Sequence, residues 1–240
     1  MMMVGIGMAS LFSFALALRG GVGLPHAPAI ESGDDAIAGE VAADEDDATA
    51  MPAELTAWAS SLAPLALANV NTGAAATIRL YANDGALDPF SVAEFTRVVS
   101  PSGELHDVSP RLMQLVVKAA YHFHVPTIAA ISGYRPEAKA PKPGQKGSRH
   151  ATGEALDFRL PGVTPAVLAS FLRSYARAGV GIYTHPRTQY VHLDVRDESY
   201  HWVDASPPRI SWRERGLPDP KRSERDAAWV PELDLPLDLE

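Results

Sequence analysis

The sequence contains no cysteine. That excludes disulfide scaffolds, thiol nucleophiles, thiolate-ligated zinc and a lipid-modified N-terminal cysteine, so any metal site must be assembled from His, Asp and Glu. Nor is there a basic surplus. Nine of the 29 acidic residues fall between Glu31 and Glu54, a stretch without Lys or Arg, and the remaining 20 face 21 basic residues. The formal net charge of -8 is therefore local, and the nearly neutral body offers no basic face, which excludes nucleic acid as a partner. There are no internal repeats, and the long apolar run is confined to Met1–Leu18, so a transmembrane bundle is excluded.

What is present divides the chain into four parts. Residues 1–30 combine the uncharged run MMMVGIGMASLFSFALAL with small residues and Ala27-Pro28-Ala29, the outline of an export signal or N-terminal membrane tether. Residues 31–64 open with an acidic, Ala-rich stretch without an aromatic residue up to Glu54; such a stretch buries too little surface to fold and is expected to be a flexible spacer. Residues 65–204 carry regular hydrophobic patterning, and the chain, 46% hydrophobic and 21% charged, is long enough to bury a core there. Residues 205–240, broken by Pro207, Pro208, Pro218, Pro220, Pro231 and Pro236, are expected to be a charged, solvated tail.

Within 65–204, Ser109-Pro110 is an N-cap and first-turn pair, followed at helical spacing by Leu112, Leu115, Val116, Ala119 and Phe123. Thr164-Pro165 opens a second helix with Leu168, Phe171, Leu172 and Tyr175 on one stripe and Gly179 as its expected stop. Runs at Thr127–Ser132, Glu154–Leu160, Val180–Tyr183 and Gln189–Val195 predict strands, the last two forming an antiparallel hairpin around His185-Pro186. The predicted class is α+β: helices flanking a small, mainly antiparallel sheet.

Two stretches carry polar residues with chemical potential. In SRHATGEALDF (Ser148–Phe158), His150 and Asp157 are an odd number of residues apart and would point to opposite faces of a continuous strand. A turn at Gly153 instead lets a loop carrying His150 meet a strand carrying Asp157. In YVHLDV (Tyr190–Val195), His192 and Asp194 share a strand face. Two histidines and one carboxylate suit catalytic zinc, which takes three protein ligands and leaves a fourth position for water. Tyr121–His124 offers a second His-x-His, but at a helix end its histidines diverge, so it is read as structural, and Glu154 is expected to face solvent.

ISGYRPE (Ile131–Glu137), SRHATGEALDF, GVGIYTHPRTQYVHLDV (Gly179–Val195) and His201-Trp202, with ATIRLYANDG (Ala76–Gly85) and DVSPRLMQLV (Asp107–Val116) upstream, resemble the D-Ala-D-Ala carboxypeptidase-like zinc peptidases. The nearest branch is that of the exported murein endopeptidases, and the resemblance spans roughly residues 65–203. It implies a Hedgehog/D-Ala-D-Ala peptidase type of fold. It also implies one Zn2+ per chain on His150, Asp157 and His192, Arg135 as a substrate or transition-state contact, and Ser148 as a further substrate contact. Peptidoglycan stem or cross-link peptides would be the substrate, and the protein would be exported to the periplasm or cell envelope.

The sequence departs from relatives that carry a carboxylate three residues before the last ligand, or a histidine two before it; here these are Gln189 and Tyr190. Asp194 is then the nearest general base, with His201 and Glu198 behind it, or else a carboxylate that orients His192. Two other readings compete with a peptidase. His192-x-Asp194 with His201 has the form of an iron facial triad, at the cost of leaving His150 and Asp157 unused. Alternatively, the fold could serve as a non-catalytic zinc or peptidoglycan-peptide-binding module.

Overall fold

The computed structural model describes residues 53–100, 104–136, 148–208 and 214–237. The expected signal segment, most of the acidic spacer and the Ala138–Gly147 loop lie outside the described residues. In chain order the elements are α1 (Ala53–Ser61), β1 (Leu65–Asn69), β2 (Ala75–Ile78), α2 (Pro89–Val99), α3 (Pro110–His122), β3 (Thr127–Ser132), a 3-10 turn (Arg149–Thr152), β4 (Ala155–Arg159), α4 (Pro165–Leu172), β5 (Ala178–Tyr183), β6 (Tyr190–Val195), β7 (Tyr200–Asp204), β8 (Arg215–Gly216), α5 (Arg222–Ala227) and a 3-10 turn at Pro231–Asp234.

Three helices open by the same device. Asp88, Ser109 and Thr164 each accept a hydrogen bond from the backbone N–H three residues on, and each is followed by a proline at the first helical position. Helix α3 then buries Leu112, Met113, Leu115, Val116, Val117, Ala119 and Ala120, which makes it the central support of the sheet. Helix α4 ends earlier than its sequence stripe suggests. The Ser174 hydroxyl donates to the Phe171 carbonyl at 2.7 Å, Arg177 adopts φ 51°, and Gly179 is already inside β5.

The strands form one sheet in the order β2-β1-β3-β4-β6-β5-β7-β8. Pairing is mainly antiparallel, with β1–β3 and β5–β7 parallel. The predicted small sheet is therefore too small. The four strands legible in the sequence are the contiguous centre, β3-β4-β6-β5, and two strands are added on either side. β7 escaped the pattern because polar residues occupy both of its faces, and β8 is only two residues long.

The register sets one transverse row across the sheet: Ser132, Asp157, His192, Gly181, Trp202 and Gly216 are successive cross-strand partners. Partners in register share a face. The row Leu156, Leu193, Val180 and His201 points the other way, among the side chains that face the helices.

The Pro-rich segment expected to be solvated is instead folded onto the domain. Asp226 accepts from Ser199 N at 2.7 Å, Ser199 Oγ at 2.6 Å and Arg177 N at 2.7 Å. Arg111 of α3 donates to Asp234 at 2.7 Å, and Trp229, whose indole N–H donates to Asp234 at 3.1 Å, lies against the guanidinium groups of Arg111 and Arg177 at 4.8 and 4.7 Å. Composition mispredicted this segment because its docking relies on buried carboxylates meeting fixed donors, not on apolar area. Asp226→Ala strands two backbone N–H groups and the Ser199 hydroxyl; it is expected to lower stability by about 2–4 kcal/mol, measured by urea unfolding.

Candidate metal centre

His150 enters the site from the 3-10 turn that Gly153 closes. Gly153 has φ 69°, and a Cβ there would lie 2.1 Å from the Asp107 carbonyl oxygen, so both conformation and space require glycine. The turn is tied to the frame on both sides: Gly153 O accepts from Ser109 N at 2.9 Å, and His150 O accepts from Arg135 N at 3.0 Å. Asp157 and His192 are register partners on β4 and β6. The side chains expected to meet do so: one ligand atom from each of His150, Asp157 and His192 lies within 4.8 Å of the other two.

The orientation of each ring is set from behind. His150 Nδ1 is 2.7 Å from the Gly133 carbonyl, to which its N–H donates, leaving Nε2 facing Asp157 Oδ1 at 3.5 Å. His192 Nδ1 faces the same oxygen at 2.9 Å, while Nε2 is 2.9 Å from Asp194 Oδ2. His150 Nε2, Asp157 Oδ1 and His192 Nδ1 thus form a converging N, O, N donor set, with each imidazole's other nitrogen engaged by a carbonyl or carboxylate. This donor set fits zinc. Burial pushes His150 below its ordinary value. Burial alone would raise Asp157, but His150 and His192 outweigh it and hold the carboxyl well below the usual range. For His192 the burial penalty is overcome by Asp157 and Asp194, which raise it to about 9.

Asp194 sits at the opposite edge of the His192 ring from Asp157. It is 1% exposed, and Arg196 grips both of its oxygens, with Nε 2.6 Å from Oδ1 and Nη2 in close contact with Oδ2. Burial would raise its pKa, but His192 and Arg196 bring it down to about 2. A carboxylate so held is a poor proton acceptor and a good anchor. The other base candidates lie elsewhere. His201 faces the helices, where Arg173 Nε donates to its Nδ1 at 3.1 Å and Asp219 lies 3.3 Å away, so it does not join His192 and Asp194 as a facial triad. Glu198 is exposed and pairs with Arg222 at 3.8 Å. Gln189 is in the turn before β6 with φ 41°, and the Tyr190 ring stacks on Tyr183 at 4.4 Å.

Arg135 follows β3 and is half-buried, and its positive charge acts on both His150 and Tyr190. Ser148 is the residue before the 3-10 turn, half-buried, and its carbonyl accepts from Ala151 N at 2.8 Å. Glu154, expected in solvent, is half-buried and accepts from Arg149 at 2.7 Å. His122 of the second His-x-His stacks on Phe171 at 3.8 Å, a packing role. One carboxylate escaped the sequence reading altogether: Glu214, two residues before the Gly216 end of the metal row. Its pKa is raised by burial and by Asp204, against the pull of His192 and Arg196. It is exposed, and no local signal marks it, since it stands just before β8, which pairs with β7.

A converging His/Asp/His set on the central strands of a mixed sheet defines the class as a metal-competent site. Residues 58–202 match the family described as peptidoglycan L,D-endopeptidase MepK. The chain belongs to that family of peptidoglycan peptidases. No curated protein and no solved structure gives a significant match.

His150→Ala, Asp157→Ala and His192→Ala should each abolish stoichiometric zinc binding in metal analysis. Asp194→Asn should still bind zinc, but about 10–100-fold more weakly, as expected for loss of a partner that orients a ligand. Full zinc occupancy in any alanine variant removes that residue from the set.

Proposed function

We propose that the protein is a zinc-dependent endopeptidase that hydrolyses bonds in peptidoglycan cross-link or stem peptides, on a fold of the Hedgehog/D-Ala-D-Ala peptidase type. The observation that carries this reading is the donor set itself: His150 Nε2, Asp157 Oδ1 and His192 Nδ1 converge while their outer partners fix both rings. When bound, one Zn2+ supplies Lewis acidity to the scissile carbonyl and makes water a nucleophile near neutral pH.

The remaining steps fall to the chain. Arg135 binds a substrate carboxylate or the developing oxyanion, a task suited to a guanidinium whose charge acts on the cluster. Ser148 is a further substrate contact beside it. Asp194 orients His192 and is not the base. Glu214, whose carboxyl is raised above its ordinary value by burial and by Asp204, is the candidate to accept the proton of the attacking water and return it to the leaving amine. Substrate chemistry implies export to the periplasm or cell envelope, with residues 1–30 as signal or tether. Among the described residues no helix is long and apolar enough to cross a membrane.

Purified protein incubated with muropeptides should cleave them, lose activity to a chelator and regain it with zinc; mass spectrometry of the products identifies the bond. A zinc-loaded protein that binds but never cleaves muropeptides would instead be a non-catalytic binding module.

Arg135→Ala should lower kcat/KM by about tenfold or more with an unchanged melting temperature. Glu214→Gln should retain zinc, lose roughly 100-fold in kcat and lack the acidic limb of the wild-type pH profile. That limb should be displaced upward from that of an ordinary glutamate, because the group must be ionised to act and its pKa is raised. Near-normal turnover in Glu214→Gln would eliminate it as the base.

A further inference from the structure

Trp202 is the next side chain beyond Gly181 in the metal row, 5% exposed, with its ring centroid 5.1 Å from that of His192. Its indole nitrogen is enclosed and has no hydrogen-bond partner. An unsatisfied buried N–H costs roughly 1–3 kcal/mol, so a donor kept in this state calls for an acceptor that arrives from outside. Other such atoms, including Tyr81 Oη in the core and His201 Nε2 on the helix side, lie away from the site. Trp202 Nε1 lies on the metal face.

The direction of the donor follows from Gly181. A Cβ there would lie 2.4, 2.5 and 2.7 Å from Trp202 Cε2, Cζ2 and Nε1, so the nitrogen-bearing edge of the indole rests on bare backbone of β5, the strand between Trp202 and His192. The ring is held there from its other side. Tyr200 stacks on it at 5.5 Å, and the Arg196 guanidinium, anchored by Asp194, lies 5.9 Å from its centroid. The indole edge that carries the donor is thus held over β5, the strand next to His192.

We propose that the Trp202 indole N–H is a substrate-binding donor of this centre, hydrogen-bonding an oxygen of the bound peptide beside the scissile bond. This rests on the peptidase reading of the site. The donor fixes the position of the peptide backbone and carries no proton in the reaction, so its loss falls on KM.

Trp202→Phe retains an aromatic ring on Tyr200 and removes the donor together with part of the ring, whose packing loss the melting temperature reports. With zinc content and melting temperature at wild-type values, KM for muropeptides should rise about three- to tenfold with kcat within a factor of two, the range of one neutral hydrogen bond. In 15N-labelled wild type, the Trp202 indole resonance, one of four, should shift downfield when a muropeptide cleavage product is titrated in. An unchanged KM, or a resonance unmoved at saturating product, overturns the proposal. Absence of turnover in wild type would count against the peptidase reading, whereas the resonance requires binding alone.

Discussion

One carboxylate, Asp157, organises the centre. It is 6% exposed and stands between two buried imidazoles, with the same oxygen 2.9 Å from His192 Nδ1 and 3.5 Å from His150 Nε2. A charge so buried is sustained only where opposite charge or a metal meets it, and the surrounding structure brings two imidazoles to it. The β4–β6 register brings His192 alongside, and the left-handed turn at Gly153 brings back His150. The Gly133 carbonyl and Asp194 then fix which nitrogen each ring presents. The donor set is preorganised because both imidazoles are held from behind.

Beyond the donors, β5 provides space where other strands provide side chains. A Cβ at Gly179 would lie 2.3 Å from Asp194 Oδ2 and 2.4 Å from Arg196 Nη2, and one at Gly181 would enter the Trp202 ring. The two glycines open a trough in which Arg196 and Trp202 lie across the sheet toward His192. Arg196 links both halves: its guanidinium holds Asp194 and covers the faces of Tyr200 and Trp202. Metal-ligand orientation and the aromatic wall are therefore parts of one arrangement, and a side chain on β5 would disturb both.

The C-terminal segment works from the other face. Asp226 and Asp234 bind backbone and side-chain donors around Ser199, Arg177 and Arg111, while Asp219 pairs with Arg225 and faces His201. Burial holds His201 down at about pKa 4, keeping it neutral in the folded protein near pH 7. These contacts fix the start of β7, and β7 positions Trp202 and receives β8. A segment whose composition suggested a solvated tail thus supports the strand that carries Trp202.

The sequence alone determined the features whose causes are local. The N-cap and proline pairs specified where α2, α3 and α4 begin, although only the last two were read in advance, and alternation marked the four central strands. The Gly153 turn was enough to predict that His150 and Asp157 meet, because that step spans only a few residues, whereas His192 entered the set through the resemblance to the zinc peptidases and is brought there by the β4–β6 register. Tertiary structure alone decided the rest. Asp194 follows His192 by two residues in either role, but Arg196 folding back over Gly179 ties it to the outer edge of the ring. Trp202 comes beside His192 only through the β5–β7 pairing, and such a distant pairing leaves no periodic trace in the chain.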